Sequence, residues 1–198
     1  MIAVIDVTGN NLTSIGNAID RLGFEYSLTH DPRTIEEASH VILPGVGTVG
    51  SAMDALEKHH LVKTLSHLQQ PLLGICVGMQ LLFEQSEEAS KPGLGLLPGR
   101  VKRLPAFPQY SIPHMGWNSL RWTSQCELNR GLNHDDYFYF VHSYAYLSKE
   151  HALARSSYSS EFTAVVQKDH IYGVQFHPEK SARAGMVLLN NFLTLRIS

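Results

Sequence analysis

The stretch Pro71-Leu72-Leu73-Gly74-Ile75-Cys76-Val77-Gly78-Met79-Gln80 decides how the rest of the chain is read. Its first half is a short apolar run, the pattern of a strand buried on both faces. A helical pattern begins directly after it, at Met79-Gln80-Leu81-Leu82-Phe83, and is expected to continue to residue 88. Between the two lies Gly74-x-Cys76-x-Gly78, the spacing of a nucleophile elbow with cysteine at its centre. So sharp a turn strains the central residue and leaves no room for flanking side chains, which is what the glycines supply. Cys76 would then stand proud of the sheet at a helix N-terminus, where the dipole favours a thiolate. The same residues also fit a buried structural cysteine beside helix-packing glycines, because cysteine is among the most often buried residue types. The surrounding chain must separate the two.

Towards the N-terminus, residues 2–7 read as a buried strand, and Asn10 or Asn11 can cap a helix reaching Leu22, ended by Gly23. Phe24–Thr29 supplies a second strand, Glu36–Ala38 a short helix, His40–Leu43 a third strand and Ala52–His60 a further helix. Strands alternating with helices predict a parallel sheet covered on both faces. Residues 45–50 also spell Gly-x-Gly-x-x-Gly after a strand and before a helix. A dinucleotide fingerprint belongs in the first βα unit, with an acid about 20 residues on at a strand end. Here the motif lies in a later unit and the next strand ends at Cys76, so no cofactor is expected. A loop that turns backbone N–H groups toward an anion is the better reading.

Beyond the elbow, residues 89–135 carry Pro92, Pro98, Pro105, Pro108 and Pro113, predicting turns and short strands such as Arg100–Leu104. Tyr137–His142, Thr163–Gln167 and Ile171–Gln175 are strand-like, Lys168-Asp169-His170 forms a hairpin turn, and Ser181–Leu195 closes as a helix. No linker or internal repeat interrupts the chain. The expected fold is one α/β domain over residues 1–198: a mostly parallel open sheet, helices on both faces, a nucleophile elbow and an added region of short strands.

The totals agree with a globular enzyme. A chain of 198 residues can bury a sizeable core without disulfide or metal. Its net charge of −2, without a basic cluster, argues against nucleic acid as a partner. Two cysteines fifty residues apart offer neither a disulfide framework nor a zinc pattern, so no metal site is expected. The chain opens at once on a strand, without a signal-peptide pattern, and lacks an apolar run near the roughly 20 residues a membrane helix needs. A soluble, cytoplasmic protein is expected.

The second chemical signal is Gly173-Val174-Gln175-Phe176-His177-Pro178-Glu179-Lys180-Ser181. Pro178 forces the chain out of regular pairing at the strand end that carries His177. Glu179, two residues on, can hold the imidazole in one tautomer and stabilise its protonated form. Cys76 as nucleophile, His177 as base then acid, and Glu179 as orienter would make a triad. An isolated His-Pro-Glu would more simply be a surface turn; together with an elbow cysteine it points to catalysis. The oxyanion formed by thiolate attack needs preorganised donors, for which the N–H of Val77 and an N–H near Val46 and Gly47 are candidates.

These residues resemble the triad glutamine amidotransferases. Within that superfamily, five segments are similar to the glutaminase subunit of imidazole glycerol phosphate synthase. They are Leu43-Pro44-Gly45-Val46-Gly47, Gly74–Leu82, Pro113-His114-Met115-Gly116-Trp117-Asn118, Tyr139-Phe140-Val141-His142-Ser143-Tyr144 and the His177 segment. Other branches tend to carry Pro-Gly-Gly in place of Pro-Gly-Val-Gly, and histidine in place of Met79. The resemblance spans the chain in consistent order.

It implies hydrolysis of glutamine to glutamate and ammonia at Cys76, with Gly47, Gln80, Glu88, Ser143 and Tyr144 holding the substrate. Gln80 and Glu88 are expected to share a helix face. It also implies a heterodimer with a (β/α)8-barrel cyclase that receives the ammonia and forms an imidazole ring in histidine biosynthesis. Met115, Trp117, Tyr139 and Lys180 are candidates for the cyclase face, the aromatic residues as anchors. The first loop departs from the family's Asp-Tyr-Gly-x-Gly-Asn-Leu-like form: Asp6-Val7-Thr8-Gly9-Asn10-Asn11-Leu12 has Thr8 and Asn10 at two glycine positions. Paralogues that supply ammonia to sugar-amidating enzymes of surface-polysaccharide synthesis therefore stay in view. A binding subunit without catalysis is the reading from another class.

Overall fold

Where the sequence is apolar without alternation, the chain builds a parallel core. The computed structural model describes residues 1–6, 12–45 and 47–196. Strands β1 (Ile2–Ile5) and β4 (Leu72–Cys76) are buried at every position, as strands covered on both faces must be. With β2 (Tyr26–Thr29), β3 (His40–Gly45) and β13 (Ile171–Val174) they form a parallel sheet in the order β2-β1-β3-β4-β13. Helix α1 (Leu12–Arg21) turns Leu12, Ile15, Ala18 and Ile19 to the core. Helices α2 (Pro32–Glu36), α3 (Val49–Lys58) and α4 (Leu61–Ser66) complete the crossovers. Right-handed connections through this strand order place α1 on one face and α2 to α4 on the other.

Caps move two helices earlier than the apolar pattern alone indicated. Asp31 accepts from the Thr34 amide at 2.9 Å and Pro32 opens the first turn, so α2 ends at Glu36, where the sequence pattern placed its start. A reciprocal Thr48–Ser51 capping box starts α3 at Val49.

The sheet continues antiparallel from β13 to β12 (Glu161–Lys168), β10 (Tyr144–Tyr146) and β6 (Leu97–Arg103), and ends on β5 (Phe83–Ser86), which runs parallel to β6. Strands β11 (Ala152–Ser157) and β8 (Arg121–Trp122) branch from β12. A separate antiparallel ribbon pairs β7 (His114–Ser119) with β9 (Tyr137–His142). Helix α6 (Ala182–Leu193) closes the chain.

The helix expected over 79–88 is a correction. Helix α5 covers only Val77–Leu81, and Phe83–Ser86 is a strand. The carbonyls that would carry the helix onward are taken by a later segment: Leu94 N–H donates to Leu81 O at 2.7 Å, Leu97 N–H to Leu82 O at 2.9 Å and Gly93 N–H to Glu84 O at 3.0 Å. Tertiary pairing outcompetes local periodicity here. The altered loop Val7–Asn10, the capping positions Asn10 and Asn11, and Val46 lie outside the described residues. Among the described residues no helix is long and apolar enough to cross a membrane.

Candidate active site

Cys76 ends β4 and sits at φ +55°, ψ −111°, a backbone conformation that bulky L-residues rarely occupy. The turn is possible because two strands and a helix meet there without side chains. A Cβ on Gly74 would lie 2.6 Å from the Gly78 carbonyl oxygen, and one on Gly78 would run into the carbonyl of Leu43. Gly45, the first glycine of the apparent dinucleotide motif, has the same duty: its Cβ would meet the backbone of Val77 and Gly78. That motif packs the elbow.

His177 arrives on the neighbouring strand. β13 runs parallel to β4 with Val174 opposite Ile75, so the residues that follow β13 emerge beside Cys76. The His177 amide donates to Tyr139 O at 2.9 Å, which fixes this segment against β9. A short 3-10 turn over Pro178–Lys180 brings Glu179 back, and His177 Nδ1 lies 2.8 Å from Glu179 Oε1. Both side chains are buried. Burial by itself disfavours the imidazolium, but the hydrogen bonds and charges of Cys76 and Glu179 outweigh it and push the His177 pKa up to about 10. Those two partners favour the protonated imidazole.

A pocket of about 210 Å³ opens on Cys76, lined by Gly47, Val77, Gln80, Glu88, Pro113, Val141, His142, Ser143 and Tyr144. Gly47 has φ +87°, a value glycine adopts without strain. Gln80 is buried, its Nε2 donating to Tyr144 O at 2.9 Å and to Gln175 Oε1 at 3.0 Å. Gln80 and Glu88 meet in this pocket, but not on a shared helix face. Glu88 follows β5, and its Oε2 accepts from the Val49 amide at the start of α3 at 2.8 Å. A larger cavity of about 590 Å³ lies away from Cys76, beside Asn118, Arg121, Arg155 and Glu161. Both of its arginines pair with Glu161, so no reactive set converges there.

The four residues expected on a partner face lie apart from the pocket lining. Met115 and Trp117 are 62% and 53% exposed, which excludes a core role for either. The Trp117 ring packs edge-on against Tyr139 at 5.9 Å, and Lys180 is exposed. Sequence reasoning missed Gln175, whose Nε2 lies 3.9 Å from Cys76 Sγ. β13 ends at Val174, so Gln175 and His177 both lie in the segment that emerges beside Cys76 rather than on one strand face. Sequence reasoning also gave no role to His142, although that residue lies in the quoted Tyr139–Tyr144 segment and on the buried face of β9.

A cysteine on a tight strand-to-helix turn, with a carboxylate-bound imidazole on the neighbouring strand end, is the arrangement that a thiol hydrolase acting on acyl or amide carbonyls uses. The chain matches the family described as "Glutamine amidotransferase class-I" over residues 3–195. It is 60% identical to "Imidazole glycerol phosphate synthase subunit HisH 2" of Legionella pneumophila (strain Lens), covering 98% of each chain. It is 45% identical to the HisH subunit of Haemophilus influenzae (strain ATCC 51907 / DSM 11121 / KW20 / Rd), covering 97% of this chain and 96% of that one. A crystal structure of a glutamine amidotransferase shares the fold with a TM-score of 0.76 at 20% identity, over 97% of this chain and 96% of the other. The chain belongs to the class-I glutamine amidotransferases and, within them, to the HisH family.

Proposed function

We propose that the chain, as a single domain over residues 1–198, hydrolyses L-glutamine and passes the ammonia to a cyclase subunit that makes imidazole glycerol phosphate in histidine biosynthesis. The observation that carries this is the pocket itself, where Cys76 meets Gly47, Val77, Gln80, Glu88, Ser143 and Tyr144.

Cys76 Sγ attacks the side-chain amide carbon of glutamine, and the oxyanion is received by the Val77 amide and backbone N–H groups of the loop at Val46 and Gly47. His177 gives its proton to the amide nitrogen, which leaves as ammonia, and Glu179 keeps the imidazole aimed. His177 then takes a proton from water as it attacks the thioester, releasing glutamate and restoring the thiol. Gly47, Gln80, Glu88, Ser143 and Tyr144 hold the substrate. Free ammonia would be protonated in water, so a partner must cover the site; Met115, Trp117, Tyr139 and Lys180 form the face it meets.

The test is glutamine hydrolysis by the wild type and Cys76→Ala, each alone and with the cyclase plus its nucleotide substrate. Hydrolysis stimulated by the cyclase and lost in Cys76→Ala is expected. Hydrolysis that depends on Cys76 and ignores the cyclase would move the acceptor to a sugar-amidating enzyme, the reading that Thr8 and Asn10 favour. Absence of hydrolysis in every condition would leave a binding subunit.

A further inference from the structure

Two buried histidines stand beside the pocket, and neither belongs to the triad. Their hydrogen-bond directions follow from their partners. His142 Nδ1 lies 2.8 Å from the Tyr144 carbonyl oxygen, which can only accept, so Nδ1 carries the proton. In a neutral ring Nε2 is then bare, and the His114 Nδ1 that lies 3.0 Å from it must be the donor. His114 Nε2 is bare in turn and accepts from Asn118 Nδ2 at 3.4 Å. Asn118 is itself oriented: its Nδ2 donates to Ser157 O at 2.9 Å and its Oδ1 accepts from the Ser119 amide at 2.9 Å. Burial holds both imidazoles neutral, pushing His114 down to about 4 and His142 to about 3.

The rings are also clamped. His114 lies stacked between Tyr158 at 4.1 Å and Phe140 at 4.9 Å, and His142 meets Phe162 edge-on at 5.0 Å. The chain of donors therefore has one direction and little freedom. It ends on a carbonyl that matters to the pocket: Tyr144 O receives His142 Nδ1–H and Gln80 Nε2–H together. Gln80 spends its amide nitrogen on Tyr144 and Gln175, which leaves its carbonyl oxygen as the group offered to a ligand. If the Tyr144 carbonyl moves, the orientation of Gln80 and the Ser143-Tyr144 wall move with it.

We propose that His114 is a positioning residue for the amide substrate: through His142 it fixes the Tyr144 carbonyl, and with it the Gln80 carboxamide and the Ser143-Tyr144 wall of the pocket. The effect is on binding rather than on bond cleavage, because the hydrogen bonds of both histidines run to Tyr144 and Asn118 and not to Cys76 or His177. The proposal rests on the glutaminase reading for its kinetic consequence, but not for the relay itself.

Two variants separate a relay from simple packing, because the two ideas rank them in opposite order. His114→Asn keeps a donor at the Nδ1 position and loses the stacked ring. His114→Phe keeps the ring and loses the donor, leaving His142 Nε2 a buried acceptor without a partner. The relay predicts KM for glutamine within about twofold of wild type in the asparagine variant and raised about tenfold in the phenylalanine variant, with kcat little changed in both, since one unmet buried hydrogen bond is of that size. The reverse order, or equal effects, would overturn it. A second readout needs no activity: the ¹⁵N resonance of His142 Nε2 should stay in place in His114→Asn and shift in His114→Phe. An unmoved resonance in the phenylalanine variant sinks the relay. Failure of all variants and wild type to hydrolyse glutamine, with the resonance pattern as expected, would instead remove the glutaminase reading and leave the relay standing.

Discussion

At the scale of single residues the site depends on a proton held in an unfavourable place. His177 is buried, yet its contacts with Cys76 and Glu179 raise its pKa to about 10 from an ordinary value of 6.5. A group whose folded pKa is raised stabilises the native state fully below its unfolded pKa, and that stabilisation is lost as pH rises through the folded value. Glu179→Gln removes one of the two raising partners. The stability gap between wild type and this variant, read by urea denaturation, should be widest below about 6.5 and should narrow toward about 10. A gap that is flat across that window would mean that Glu179 contributes by packing alone. Cys76→Ala should abolish glutamine hydrolysis, a loss of at least ~10³-fold for a missing nucleophile, with an unchanged circular dichroism spectrum.

Elements decide whether those residues meet. The elbow exists because α5, β3 and β4 approach so closely that Gly78 touches the Leu43 carbonyl. Gly78→Ala forces β3 and α5 apart and should cost ~1–3 kcal/mol of stability by overpacking. Denaturation midpoint and activity are the paired readouts, and activity should fall further than stability, because the displaced turn carries Cys76. The ribbon of β7 and β9 gives the second element-scale expectation. Alternation along β7 turns Met115 and Trp117 outward and His114 inward, so one strand serves both an exposed apolar face and the pocket relay. Trp117→Ala should weaken cyclase binding about tenfold or more, as aromatic anchors do, while leaving thermal unfolding near the wild-type value. Titration of the cyclase by calorimetry checks it; unchanged affinity would move the interface elsewhere.

For the whole molecule, the expected behaviour is transfer of ammonia without escape. During turnover of the complex, an ammonia-trapping enzyme in the buffer should capture little product; with Trp117→Ala at equal glutamine consumption it should capture more. Equal capture in both would mean that the face carrying Trp117 does not seal the site. The architecture that permits this was largely legible in the chain. Unbroken apolar runs at 2–5 and 72–76 require strands covered on both faces, and Gly74-x-Cys76-x-Gly78 requires a tight turn, because both are consequences of local sterics and burial. The short motifs around Cys76, His177 and Glu179 marked them as candidates for the same reason, and the structure places His177 Nδ1 2.8 Å from Glu179 Oε1. The helix expected over 79–88 was not, because residues 93–97 capture the carbonyls of 81–84 from a distance along the chain. So the sequence by itself determined the parallel core and the glycine-flanked turn at Cys76, which depend on neighbours a few residues away. Only the tertiary structure decided that Glu88 joins Gln80 in one pocket from the turn after β5, that Gln175 reaches Cys76, and that His114 and His142 join in a neutral pair. Those are contacts between distant segments, and no local period encodes them.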